Sequence, residues 1–122
     1  SKYHLEAAIA GEHAFAPTFA ETRWGEIAKL YAQLSRIDPS PLHDLHGLIA
    51  VSYADGPRVA LDRLQLARPP TWLQGSHLWL ATRADLHRRL GEVDEAKRWY
   101  EQAIALAPPI EAAVLQTQMA KL

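Results

Sequence analysis

The stretch from Leu90 to Pro108 constrains the fold more than any other part of the chain, because each of its marked positions has its own physical task. Gly91 follows a helical run and is the residue type that closes a helix in left-handed backbone. Ala96 is small where two helices have to pass close together. Tyr100, Ala103, Ile104 and Leu106 recur on a helical period and mark a core-facing stripe. Pro108 has no amide hydrogen and ends the run. The unit so described is a helical hairpin, which cannot bury its apolar face alone and has to stack against neighbours.

Proline and glycine cut the rest of the chain into helix-sized pieces. Tyr3, Ala7, Ala10 and Ala14 lie on one stripe with Leu5 and Ile9 beside it, and Pro17 stops that helix. Thr22 is positioned to cap a second helix carrying Ile27, Leu30, Tyr31, Leu34 and Ile37. Asp38-Pro39-Ser40-Pro41 stops it and restarts the chain, with Ser40 as N-cap and Pro41 at the first helical position. Leu42, Leu45, Ile49 and Tyr53 form the third stripe. Asp55-Gly56-Pro57 repeats the stop-and-restart device ahead of Ala60, Leu61, Leu64 and Ala67. After Pro69-Pro70 the pattern predicts one long helix ending near Leu90, then a helix from Glu92 to Ala107 and a last one after Pro109. No segment alternates with period two for long enough to form a strand. The expectation is all-α, with about seven helices.

Size and charge narrow the function. A chain of 122 residues builds one small domain and has no room for two ordinary ones. Its 13 Lys and Arg against 14 Asp and Glu give a formal net charge of -1, which argues against direct nucleic-acid binding. With no cysteine there is neither a disulfide nor a thiolate metal site. No apolar run approaches the ~20 residues that span a bilayer, so no membrane role is expected and the reading is cytoplasmic. The chain opens Ser1-Lys2, with Tyr3 already on a helical stripe, and reads as an excised piece of a longer protein.

The Leu90 to Pro108 stretch resembles the second half of a tetratricopeptide repeat. Weaker copies precede it: Tyr31, Leu34, Ile37 and Pro39 stand in the relative places of Tyr100, Ala103, Leu106 and Pro108, and Gly56 and Ala60 lie one residue closer together than Gly91 and Ala96. The resemblance implies a right-handed, TPR-like stack of antiparallel helical hairpins over residues 1–122, with the first and last helices as caps.

A second resemblance spans Tyr3 to about Ala107. It is carried by Tyr3 to Ala14, by Trp24 with Ile27, Leu30 and Tyr31, by Pro39-Ser40-Pro41, and by Ala50-Val51 leading to Asp55-Gly56-Pro57. Arg88-Arg89-Leu90-Gly91 and the Glu95-Ala96 step complete it. In this order and spacing the chain resembles the C-terminal TPR-like extension of extracytoplasmic-function RNA polymerase sigma factors (sigma-70 family, sigma-24-like). That resemblance implies a regulatory domain in transcription initiation. Its implied partners are the DNA-binding regions of the same polypeptide or RNA polymerase. Where that family typically reads Leu-Asn-Arg-Ala this chain has Leu45-His46-Gly47-Leu48, so the hydrogen bonds of an Asn-Arg pair are lost here. Gly47 also costs roughly 1 kcal/mol inside a helix, for which close packing against a neighbour is one compensation.

Candidate chemistry is sparse. His43 and His46 stand at i and i+3, a metal-compatible spacing, but the motif lacks the glutamate and third ligand of a zinc enzyme. No metal, cofactor or catalytic residue is expected. Trp72 and Trp79, seven apart on the long helix, share a face with Leu86 and either fill the core or line a groove. Arg83, Arg88 and Arg89 read as a solvated basic face. The candidate protein-binding surface is Trp72, His77, Trp79 and Arg83, with His43 and His46 as a second. Two functions compete: the sigma-factor extension, and a free-standing helical-repeat adaptor that holds a peptide or protein in its groove.

Overall fold

A computed structural model describes residues 1–16 and 18–122. It is all-helical, with eight α-helices, one 3-10 turn and no strand among the described residues. The helices are α1 (Lys2–Phe15), α2 (Trp24–Ile37), α3 (Pro41–Asp55), α4 (Pro57–Leu66), α5 (Thr71–Gln74), α6 (His77–Arg89), α7 (Val93–Leu106) and α8 (Pro109–Ala120), and the 3-10 turn is Phe19–Glu21. Pro17, the expected stop of α1, lies outside the described residues. The chain divides into two compact units, residues 1–60 and 61–122, the division falling within α4.

In the first unit α1 packs on α2 and α2 on α3. Ser1 caps α1 by accepting the His4 amide hydrogen on its hydroxyl. Thr22 does not cap α2: its hydroxyl donates to the Thr18 carbonyl, and Arg23 holds the N-cap position without a side-chain bond. Pro41 opens α3 as the sequence predicts. Ile9, Ile27, Leu34 and Ala50 form a buried core, with Leu5, Trp24, Ala28, Leu30 and Tyr31 packed against it. Gly56 closes α3, with a φ of 103° and ψ of 157° that suit only glycine; the proline that follows favours the extended ψ.

In the second unit α6 packs on α7, α7 on α8, and α5 on the start of α6. The α6–α7 turn is a Schellman closure. The Glu92 amide donates to the His87 carbonyl at 2.9 Å and the Gly91 amide to the Arg88 carbonyl at 3.0 Å, with Gly91 at φ 75°. Ala84, Ala96 and Tyr100 are fully enclosed, with Trp99, Ile104, Leu115 and Met119 packed around them.

The expected long helix between Pro70 and Leu90 is two helices, which raises the count from seven to eight. Gly75 weakens the run, and Ser76 then serves both ends of the break. Its hydroxyl accepts from the Trp79 amide at 3.3 Å and donates to the Leu73 carbonyl at 2.7 Å. A serine that satisfies the first turn of α6 makes restarting cheaper than continuing through glycine.

Candidate functional site: a groove on the first unit

The helix break redistributes the first candidate surface. Trp72 sits on α5 with 60 % of its surface exposed, whereas Trp79 on α6 is only 8 % exposed and belongs to the core. The two tryptophans therefore do not share a face of one helix, and Trp79 is not available to a partner. His77 is half-buried at the start of α6.

Arg83 is engaged within its own hairpin. Its guanidinium lies 4.1 Å from the centre of the Trp99 ring and its Nε donates to His87 Nε2 at 3.4 Å. Burial pushes its pKa down. His87, 4 % exposed, bonds through Nδ1 to Glu92 at 2.9 Å, so one imidazole ties α6 to the turn beyond it. Arg88 donates to Asp85 at 2.6 Å and to the Tyr100 hydroxyl at 3.2 Å; the Asp85 bond holds its pKa up. Arg83 and Arg88 thus fasten the hairpin rather than forming the solvated basic face expected of them.

The second candidate pair stands in a concavity. Two adjoining cavities of about 360 Å³ and 240 Å³ lie along α1, α2 and α3, and Tyr31 and His46 line both. The larger is completed by Glu6, Ile9, Ala10, Leu34, Ser40, Leu42 and His43. The smaller is completed by His13, Trp24, Ile27, Ile49 and Ala50. Helical spacing explains the lining: His43, His46 and Ile49 or Ala50 follow one another at three- and four-residue steps on α3, as Trp24, Ile27, Tyr31 and Leu34 do on α2.

Gly47 is what brings these two helices together. A Cβ at that position would stand 3.1 Å from the Tyr31 Cβ, so the close packing that could offset a helix-interior glycine is present. The Tyr31 ring lies 5.8 Å from His46. Burial, and secondarily His43, hold the His46 imidazole below its usual pKa, even though part of its surface stays open to solvent; burial raises that of the Tyr31 phenol. His43 is oriented by a 3.1 Å hydrogen bond between its Nδ1 and the Asp38 carbonyl.

Around the smaller cavity Trp24 touches three rings, those of His13, Phe19 and Tyr53, at centroid distances of 5.6, 5.2 and 4.7 Å. Its indole Nε1 is buried and has no hydrogen-bond partner among the described residues. Outside the lining, charges are matched locally. Arg23 from the α2 cap binds Glu12 of α1 through both carboxylate oxygens, which lowers the Glu12 pKa and raises that of Arg23. The groove is therefore an apolar, imidazole-bordered channel. Glu6 and Asp38 also come up to His43, two carboxylates that no local sequence motif joins to it.

Residues 77–110, α6 and α7 with the turn between them, match the tetratricopeptide repeat family model. The chain carries a helical repeat of the kind that serves protein interaction. It is also 37 % identical over 118 residues to a protein of Rhizobium meliloti (strain 1021) described as an uncharacterized protein; the match covers 96 % of this chain. The chain spans only 27 % of that relative's length. No solved structure matches it. No described helix is long and apolar enough to cross a membrane.

Proposed function

We propose that this chain is a non-catalytic protein-interaction domain that, within a longer polypeptide, forms the C-terminal regulatory extension of an extracytoplasmic-function sigma factor. The observation that carries the interaction reading is the repeat hairpin at 77–110, with its glycine-closed turn and enclosed Ala96. The sigma-factor reading is supported by the order of motifs from Tyr3 to Ala107. The greater length of the Rhizobium relative is compatible with it, leaving room for further regions.

The contact surface is the α1–α3 groove with His43 and His46, to which a docked segment presents apolar side chains. Exposed Trp72 is a second contact point. The partners are the sigma factor's own promoter-binding regions or RNA polymerase, in the cytoplasm. Tethering turns docking into an intramolecular event, so even a weak interface is occupied. The extension is required for activity in this reading. Transcription by the full parental protein and by a version ending before Tyr3 tests it, and truncation should lower promoter output. Equal output at equal protein level overturns the sigma-factor reading. A free-standing adaptor would then stand, since the 77–110 repeat asks only for a peptide or protein partner.

A further inference from the structure

Three side chains from three separate elements converge at one end of the groove: Glu6 of α1, Asp38 at the C-cap of α2, and His43 of α3. One ligand atom of each lies within 4.8 Å of the other two. A tetrahedral ion with bonds of about 2.0–2.2 Å holds its ligand atoms roughly 3.4 Å apart, so the group is close to a binding geometry. The remaining approach falls to Glu6, an exposed side chain that no other hydrogen bond or ion pair engages among the described residues.

Three features of the cluster favour a cation here. The imidazole is pre-oriented: its Nδ1 is held by the Asp38 carbonyl, which leaves Nε2 as the free ring nitrogen, the arrangement typical of metal-bound histidine. The charge is only partly compensated: among the described residues the two carboxylates meet one ammonium, Lys2, at 3.7 Å from Asp38 Oδ2 and with its side chain 41 % exposed. The donor set is one nitrogen and two carboxylates, which suits borderline divalent transition ions. Glu6 and His43 also line the larger cavity, so an ion held there keeps coordination positions open towards the groove.

We propose that Glu6, Asp38 and His43 form a divalent transition-metal site at the mouth of the groove. The site is independent of the sigma-factor reading and of what the groove holds. It is tested on the full chain with zinc alone, by titration calorimetry. The expected result is one zinc per chain, with affinity falling about tenfold or more in each of Glu6→Gln, Asp38→Asn and His43→Ala. Glu6→Gln is a change at an exposed position and leaves the fold intact, which circular dichroism verifies. Failure to bind zinc overturns the proposal. So does binding that keeps its full strength in Glu6→Gln or Asp38→Asn: such an ion sits on the His43/His46 pair if His46→Ala abolishes it, and elsewhere in the chain if it does not.

Discussion

Gly47 shows how one residue sets the width of a groove. In a helix interior glycine is the poorest residue after proline, and alanine there gains up to about 1 kcal/mol of helix propensity. Against that gain stands a Cβ placed 3.1 Å from the Tyr31 Cβ. Tyr31 cannot rotate its Cβ away, because that atom is bonded directly to the backbone of α2. Relief therefore requires α2 and α3 to move apart, at a cost of roughly 1–3 kcal/mol. The clash outweighs the propensity. Gly47→Ala should lower stability by about 1 kcal/mol net, read as a reduced midpoint in denaturant unfolding. A variant as stable as the parent, or more so, would show that the helix contact is loose.

At the scale of elements, the α6–α7 hairpin is held by two kinds of device. The turn satisfies the orphan carbonyls of α6 through the Gly91 and Glu92 amides, and His87 bonds to Glu92 across the same turn. Between the helices, Ala84 and Ala96 are fully enclosed beside Tyr100, leaving no room for added methylene groups. Ala96→Leu should force α6 and α7 apart and cost roughly 1–3 kcal/mol. Thermal melting followed by circular dichroism measures this, and a variant that melts with the parent would remove Ala96 from the tight interface. The Gly75–Ser76 break teaches the opposite lesson. Proline stops are legible from sequence, but a glycine-serine stop competes with continuation by about a kilocalorie or two, and hydrophobic periodicity runs across it undisturbed.

For the chain as a whole, charge is the property that bears most directly on partners. A formal net charge of -1 gives no general attraction to phosphate backbones. Of the basic residues on α6, Arg83 stacks on Trp99 and Arg88 binds Asp85 and Tyr100, so neither is presented for phosphate contact. The isolated chain should therefore show no sequence-specific binding to a promoter duplex at physiological salt, as measured by fluorescence anisotropy. Specific, salt-sensitive binding would place DNA contact within this chain itself and change the mechanism proposed for it.

The helical class, the proline-bounded helices and the clearest repeat were legible in the chain because each rests on local physics. A glycine closes a helix, a proline opens one, and an apolar residue every three or four positions marks a buried stripe. The same locality explains the recognition of Gly91, Ala96 and Tyr100 as parts of one hairpin. The site was legible only in part. His43 and His46 stood out because they are neighbours on one helix turn, yet the spacing alone offered no third ligand. Asp38 is brought to His43 by the short turn between α2 and α3, whereas Glu6 reaches it only because α1 packs on α2 and α2 on α3, and no periodicity links residues so far apart in sequence as Glu6 and His43. Trp79, for which the sequence left core and groove both open, lies in the core, and Arg83 is drawn from an expected solvated face onto Trp99. Which side a large amphipathic residue faces depends on the helices packed against it. Local propensities specify where helices begin and end; only their packing decides which side chains meet.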